Sequence, residues 1–261
     1  MSIGASTLSR RVFHRNWLVY RRLWLRSIAF GFLQPALFLS AMGIGIGSLM
    51  SAGSQQAFGG VGYLQFLGPG LLAAMAMQTA TFESTYPIMN KIRWGRNYEA
   101  MLSTPLAVGD LVAGELAWIG FRILTLATIF LVVLALFGVA TSPLAILALP
   151  VALLVGLGFS ANLIAFTATQ RNDIGFNAVF RFVINPLFLF SGTFFPLDRL
   201  PEAVQVLAWA TPLFHAVELV RGATSGRLDP ATAPWHVAYL VAFFGVGALL
   251  APRLLRRRLT V

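Results

Sequence analysis

Two stretches of the sequence, residues 27–50 and 143–169, contain no charged residue. A helix needs about 20 mostly apolar residues to cross the hydrocarbon of a bilayer, and both stretches exceed this length. In the whole chain of 261 residues, 57% are hydrophobic and 11% are charged, whereas roughly a quarter of the residues of a soluble domain are charged. We therefore predict an all-α integral membrane protein.

Further apolar stretches of similar length raise the prediction to six transmembrane helices. The predicted spans are residues 27–50, 61–83, 110–139, 143–169, 174–195 and 234–252. Only a short turn containing Gly and Pro separates the third span from the fourth, which favours two antiparallel neighbours. We expect no cleavable signal peptide, because the residues up to Arg26 lack an apolar core.

The distribution of Lys and Arg predicts the orientation in the membrane. If both termini are cytoplasmic, fifteen of the 19 basic residues lie on the cytoplasmic side. Arg199, Arg221 and Arg227 fall outside, and Arg122 falls within a span. The net charge of +10 is then explained by topology and by attraction to anionic lipids. We expect no nucleic-acid partner.

Two cytoplasmic segments have amphipathic patterns. In residues 8–26, aromatic and apolar side chains alternate with arginines, which predicts a helix lying in the membrane interface; the alternative is a flank that only sets orientation. In the inner loop, residues 84–106, apolar positions alternate with charged ones between Pro87 and Pro105. This pattern predicts two short helices, near 88–94 and 98–103. They form either an ordinary connector or a docking element for a cytoplasmic partner.

The sequence lacks the motifs of common catalytic sites. A nucleotide-binding P-loop needs Gly before its Lys, but the only lysine, Lys91, follows Asn90. The absence of Cys excludes disulfides and thiolate metal sites, and His14, His215 and His236 are far apart in the sequence. We therefore expect no intrinsic enzymatic activity, no cofactor and no metal site in this chain.

Charged residues within or at the edge of the predicted spans are the remaining candidates for chemistry, because such residues are costly in a bilayer. Glu115 and Arg122 are seven residues apart and so share one face of a helix. They either pair structurally with neighbouring helices or form the ion relay of a secondary transporter or channel. The four residues of this class are Glu83, Glu115, Arg122 and Arg181.

The segment after the fifth span, residues 196–222, is too apolar for free solution and too short in each part to cross. Pro196, Pro201 and Pro212 divide it, and Thr211 and Pro212 suit the N-cap and first position of a helix that ends at Gly222. We predict two re-entrant half-helices that dip into the outer leaflet. The alternative is an extracellular loop with incidental apolar content.

The succession FLFSGTFFPLDRLPEAVQVLAWATPLFHAVELVRG resembles the signature of type-2 ABC exporter permeases, as do WGRNYEAMLSTPL and DLVAGELAW. The chain looks most like the nodulation-type branch, whose members export lipo-oligosaccharides, beside relatives that export polysaccharides and drugs. The resemblance implies an N-terminal interfacial helix, a cytoplasmic coupling helix in the inner loop and two external re-entrant helices. It also implies a bacterial inner-membrane location, a second copy of the permease, and two separate ATP-binding cassette subunits that bind ATP and Mg.

The resemblance also implies two sets of functional residues. Coupling to the ATPase is expected at Tyr86, Ile88, Lys91, Ile92, Arg93, Trp94, Arg96, Tyr98 and Glu99. An outer gate on the translocation path of an amphiphile is expected at Phe190, Ser191, Thr193, Phe194 and Phe195. Two rival functions remain at this point, a secondary transporter or channel that uses Glu115 and Arg122, and a membrane assembly factor without transport.

Overall fold

The computed structural model describes residues 5–22, 24–46, 61–199 and 201–259. Within these ranges all regular secondary structure is helical, and no strand occurs. A helix satisfies all backbone hydrogen bonds within one segment, which a chain of this apolarity requires inside a bilayer. The prediction of an all-helical fold is confirmed for the described residues, and the apolar helices are consistent with a membrane protein. The predicted span end at 47–50 and Leu200 of the predicted re-entrant segment lie outside the described residues.

The helices are numbered here in chain order. They are α1 Ala5–Tyr20, α2 Trp24–Ser40, α3 Tyr63–Ser84, α4 Tyr86–Met89, α5 Asn97–Leu102, α6 Val108–Leu136, α7 Ala148–Thr169, α8 Ile174–Val179, α9 Asn185–Phe190, α10 Glu202–Trp209, α11 Pro212–Ser225 and α12 Ala233–Leu259. Turns of π-helix follow α2 and α4 and join α8 to α9, at Ala41–Ile46, Asn90–Trp94 and Phe180–Ile184. A 3₁₀ turn, Pro143–Leu147, leads into α7.

Three of these helices are both long enough and apolar enough to cross a membrane. They are α6, the continuous segment Pro143–Thr169, and α12. The pair α10 and α11 would count as a fourth, broken span, with a bend of 84° between its halves. The predicted first and fifth spans contain the shorter apolar helices Ser27–Ser40 and Ile174–Phe190. The six-span count stays a prediction.

Helix α3 lies at the centre of the fold and packs against α6, α7 and α11. It is 22 residues long, but Gln65, Gln78 and a Gly-Pro-Gly sequence lower its hydropathy. Its small side chains, such as Ala73, Ala74 and Ala76, are completely buried and allow close approach of neighbouring helices. Since protein rather than lipid covers most of α3, a moderately apolar sequence suffices there.

Two helix ends differ from the predicted bounds. Helix α12 continues through Pro252 to Leu259, whereas the predicted span ends at 252. Arginines in its last turn interact favourably with the helix dipole, so the helix extends into the basic tail. Helix α11 ends at Ser225 instead of Gly222, because Gly226 has a φ of 71° and supplies the left-handed conformation that commonly terminates a helix.

The turn between α10 and α11 forms as the sequence indicates. The Thr211 hydroxyl accepts a hydrogen bond from the backbone N–H of Phe214 at 3.4 Å, and Pro212 occupies the first turn of α11. Neither helix is long enough to cross alone, with 8 and 14 residues. The two halves are bent by 84° relative to each other, and α11 packs against α3.

Candidate functional site

The inner loop is tied to the helix bundle by a buried ion pair. The Lys91 Nζ atom donates to both carboxylate oxygens of Glu115, at 2.8 and 2.6 Å. The Lys91 side chain is 13% exposed and that of Glu115 is 2% exposed. The Asn16 Nδ2 atom donates to the same carboxylate at 3.1 Å. Lys91, Glu115 and Asn16, which we call the inner polar node, thus join the inner loop, α6 and α1.

Tyr98, on α5, completes the surroundings of this node. Its side chain is fully buried. Burial and, secondly, the negative charge of Glu115 hold the pKa of Tyr98 well above its usual value. The phenol is therefore neutral at physiological pH and adds no second negative charge to the node. The buried ring of Tyr98 thus anchors α5 in the protein.

Arg122 forms a second junction of three segments, two turns along α6 from Glu115. Its guanidinium pairs with Glu83 at 3.3 Å, at the end of α3, and donates to the Ser27 hydroxyl at 3.0 Å, near the start of α2. The same guanidinium lies over the ring of Tyr20 of α1, 4.8 Å from its centroid. The predicted intramembrane charges Glu115, Arg122 and Glu83 are therefore all paired, each with a partner from another segment.

Aromatic rings fill the space between α1 and α6. Phe13, Trp17 and Tyr20 of α1 meet Trp118 and Phe121 of α6. Their centroids lie 5.5 to 5.8 Å apart in edge-to-face arrangements, and each such contact is worth about 0.5–1.5 kcal/mol beyond its burial. The amphipathic N-terminal helix is thus bound to the protein along one face.

The predicted coupling residues divide into a buried group and an exposed group. Ile88, Ile92 and Tyr98 are at most 7% exposed, and Lys91 belongs to the inner polar node. Tyr86 packs against the rings of Phe176 and Phe180, at 5.2 and 6.3 Å. By contrast, the outer surface of the loop carries four predicted residues, Arg93, Trp94, Arg96 and Glu99.

Within the exposed group, Trp94 is 56% exposed. Arg93 donates a hydrogen bond to the backbone carbonyl of Arg171, which links the inner loop to the turn between α7 and α8. Arg96 and Glu99 form a surface ion pair at 3.6 Å. Arg96 also has a φ of 47°, the only positive φ of a residue other than Gly among the described residues. It starts α5 from a left-handed conformation.

The predicted outer gate is also divided. Ser191 and Thr193 are buried, at 1% and 0% exposure, whereas Phe190 and Phe195 are about half exposed, at 47% and 52%. The exposure of Phe194 is intermediate, and its ring packs edge-to-face on that of Phe188, with the centroids 4.9 Å apart. Arg181 is exposed in the π-helical turn between α8 and α9.

The turn at Ser191 to Thr193 packs directly on α3. A Cβ atom at Gly70 would lie 3.0 Å from the Thr193 Cα atom, so the two backbones touch here. Gly192 has a φ of 76°, and its carbonyl accepts a hydrogen bond from Arg221 at 2.7 Å. Arg221 also pairs with Glu218 at 2.9 Å and lies 4.0 Å from the centroid of Phe66. One arginine of α11 thus holds the outer turn against α3.

A buried histidine pair joins the re-entrant helix α11 to α12. The Nδ1 atoms of His215 and His236 are 2.7 Å apart, although the sequence separates them by 21 residues. The His215 Nε2 atom lies 3.0 Å from the carbonyl oxygen of Trp209. A carbonyl only accepts, so Nε2 carries the hydrogen, and a neutral His215 accepts at Nδ1 from His236. No pattern in the sequence indicates a contact between these two histidines, which are 21 residues apart.

No group of three or more His, Asp or Glu residues that could hold a metal ion occurs in the part of the chain that the structure describes. The charged side chains of Lys91, Glu115, Arg122 and Arg221 instead all have protein partners. Their arrangement can connect movements of separate segments. The candidate site therefore has four parts: the inner polar node, the contacts of Arg122, the turn from Ser191 to Thr193, and the exposed residues of the inner loop.

Comparison with known proteins gives a consistent result. The family model described as ABC-2 type transporter matches residues 7–224. A protein named Nodulation protein J from Rhizobium leguminosarum bv. viciae is 34% identical over 248 residues, which is 95% of this chain and 93% of that protein. Proteins of the same name from Rhizobium meliloti and Sinorhizobium fredii are 33% and 32% identical, and each alignment covers 95% of this chain and 92% of the relative.

Proposed function

The chain belongs to the ABC-2 type transporter family, and on this premise we propose that it is the permease subunit of an ATP-driven exporter. A separate pair of ATPase subunits would bind ATP and Mg, and a second copy of the permease would complete the complex. The cargo would be an amphiphile, such as a lipo-oligosaccharide, a glycolipid, a lipid-linked polysaccharide or a hydrophobic drug. The complex would lie in the bacterial inner membrane.

The proposed topology has six spans and both termini in the cytoplasm. Helix α1 would lie in the interface, where its arginines meet anionic lipid headgroups. Helix α4 and the π-helical turn after it would act as the coupling helix. The short α2 and the segment α8–α9 would be the first and fifth spans, and α10 with α11 would re-enter the outer leaflet.

The inner polar node is the observation that carries this proposal. Lys91 belongs to the inner loop, yet its ammonium group contacts a carboxylate buried in α6. Breaking a buried ion pair by removing one partner costs about 3–5 kcal/mol. Through this contact, a force on the loop would be passed to α6 and α1. This is the property that a device driven by a cytoplasmic ATPase requires.

The exposed group of loop residues is the proposed docking surface for the ATPase. Trp94 offers an uncovered aromatic ring, and Arg93 and Arg96 offer charge beside it. Aromatic and Arg side chains are the residues that most often dominate interface energies. Lys91 is excluded from this surface because Glu115 already binds it. Reversing the charge of Lys91, as in Lys91→Glu, would place two carboxylates together inside the protein.

Co-purification tests the proposal. The permease would be expressed with a tagged candidate ATPase subunit, and the double variant Trp94→Ala/Arg93→Glu should retain less than a tenth of the ATPase that the wild type retains, a loss of about 1.4 kcal/mol or more. Arg257→Glu, an equal charge reversal in the exposed tail of α12, is the matched control and should retain all of it. Equal recovery of the ATPase with both variants would refute this docking surface.

The rival function as a secondary transporter or channel rests on Glu115 and Arg122. Both side chains have protein partners, Lys91 and Asn16 for the first and Glu83 and Ser27 for the second. These contacts favour a structural role for both charges over an ion relay. In proteoliposomes, cargo movement should require both ATP and the ATPase subunits. Movement driven by a proton gradient with this chain alone would support the rival.

A further inference from the structure

A cavity of about 810 Å³, lined by both polar and apolar groups, lies at the end of the bundle opposite the inner loop. Its walls come from the start of α3, the second half of α11, and the start of α12. Helix α3 begins at this cavity and ends beside the inner loop, so the two sites lie at its opposite ends. Ligand pockets in proteins typically have volumes of about 300–1,000 Å³, and this cavity falls within that range.

All three arginines that the sequence predicts outside the membrane line this one cavity. The same walls carry three carboxylates, so the formal charge of these residues is zero. The six residues are Arg199, Arg221, Arg227, Asp198, Glu218 and Asp229. A concentration of opposite charges in one concave surface provides many hydrogen-bonding groups without a net field that attracts ions of one sign.

The carboxylates of this cavity are largely occupied by protein groups. Glu218 accepts from Arg221 at 2.9 Å. Asp229 accepts from the backbone N–H of Ala231 at 3.0 Å and from the Thr232 hydroxyl at 2.8 Å, and these contacts lower the pKa of Asp229. Asp198 lies 3.9 Å from Arg199. The acidic groups therefore neutralise the wall more than they offer a cation site.

Donors remain available on the same walls. Arg227 and Gln65 are exposed and line the cavity. The side-chain N–H groups of these two residues can donate hydrogen bonds to a ligand in the cavity. The planar guanidinium and carboxamide groups suit paired hydrogen bonds with neighbouring oxygen atoms.

We propose that this cavity binds the uncharged, polyhydroxylated headgroup of the exported amphiphile, an inference that rests on the proposed export function. Each sugar hydroxyl both donates and accepts a hydrogen bond, so it matches a wall of mixed donors and acceptors with no net charge. A charged headgroup would gain no net attraction there, because the formal charge of the six charged wall residues is zero. Pro196 lines the cavity, and the half-exposed ring of Phe195 precedes it. An acyl chain in the proposed gate therefore adjoins a headgroup in the cavity.

A binding experiment on the full-length permease in lipid nanodiscs tests this inference. Nanodiscs free of maltoside detergents are needed, because a detergent with a sugar headgroup would compete. Saturation-transfer NMR would compare the neutral trisaccharides maltotriose and cellotriose with glucose 6-phosphate and inorganic phosphate. A release site must bind weakly, so we expect a dissociation constant of about 1 mM for at least one trisaccharide. The phosphates should give no saturable signal.

Two variants locate the binding. Arg227→Gln and Gln65→Leu, both at exposed positions, should each weaken trisaccharide binding by about tenfold. Arg257→Gln, at the opposite end of α12, should leave binding unchanged. The absence of saturable trisaccharide binding, tighter binding of phosphate, or equal binding by all three variants would each overturn the inference.

This experiment separates the inference from the function on which it rests. Binding is measured without ATP or the ATPase subunit. If the ATPase co-purifies while no trisaccharide binds, the headgroup site alone is wrong. If trisaccharides bind but no ATPase associates with the permease, the proposed export function is wrong and the cavity remains a saccharide site.

Discussion

Replacing Lys91 by Met should destabilise the protein more than most single substitutions do. Methionine keeps much of the volume of the lysine stem but removes the positive charge. The Glu115 carboxylate, whose side chain is 2% exposed, then keeps only the hydrogen bond from Asn16 at 3.1 Å among its contacts in the inner polar node. Loss of one partner of a buried pair costs about 3–5 kcal/mol. We expect about 3 kcal/mol, because the amide of Asn16 still stabilises the carboxylate.

Removing the charge of the other partner, Glu115, should destabilise the protein less. In Glu115→Gln the remaining charge belongs to Lys91, which is 13% exposed and has a flexible stem that can carry its ammonium to water. We expect a loss of about 1.5 kcal/mol. The double variant Lys91→Met/Glu115→Gln removes both charges and keeps an acceptor for Asn16. It should also lose only about 1.5 kcal/mol, so the two substitutions are strongly non-additive.

Unfolding by SDS in bicelles, followed by tryptophan fluorescence, would measure these free energies. Trp118 lies three residues from Glu115 and packs on α1, so its emission reports on this region. Asn97→Ala, in the same loop but outside the inner polar node, is a control for loop substitutions. If the losses of Lys91→Met and Glu115→Gln simply add in the double variant, the two groups do not act as a buried pair and the reasoning fails.

Three further predictions concern backbone strain, helix packing and the gate. Arg96→Gly should stabilise the protein by about 1 kcal/mol in the same SDS titration, because glycine adopts the left-handed conformation of residue 96 without strain. Arg96→Ala keeps the strain of a Cβ atom at this φ and should give no gain. An equal gain from both substitutions would argue against backbone strain as the cause. Gly70→Ala should cost about 1–3 kcal/mol through its contact with Thr193, whereas Gly109→Ala, whose added methyl group would have no other atom within 4 Å, should be neutral or stabilising. Phe195→Ala should increase the basal leak of a fluorescent lipid analogue from proteoliposomes. Phe82→Ala is the control, because Phe82 is similarly exposed but lies at the end of α3 near the inner loop, and it should not change the leak. An unchanged leak in Phe195→Ala would remove Phe195 from the gate.

Local signals in the sequence predict the class of the fold well. Long uncharged stretches predict helices, and Thr211 with Pro212 predicts the start of α11, because both signals act within a few residues. The helix ends at Ser225 and Leu259 do not follow from such signals. The first depends on a positive φ at Gly226, beyond the predicted stop at Gly222. The second depends on how far a basic helix continues past Pro252.

Partners that are distant in the sequence could not be predicted from one sequence. The apolar surroundings of Glu115 identify it as a costly intramembrane charge, but its partners Lys91 and Asn16 are 24 and 99 residues away. The polar loop around Lys91 favours a docking surface, whereas its burial depends on how α4 packs against α3 and α7 and so brings the following turn to Glu115. The distance between His215 and His236 in the sequence argues against a pair, and only the packing of α11 on α12 brings them together.

The burial of Lys91 has a practical consequence for chemical labelling. It is the only lysine in the sequence, so the chain has a single side-chain amine, and Glu115 shields it. Acylating reagents should therefore modify this amine slowly for as long as the inner polar node is intact. Mass spectrometry of that one site, with and without nucleotide, would show without any introduced probe whether the node stays closed while the loop moves with α6.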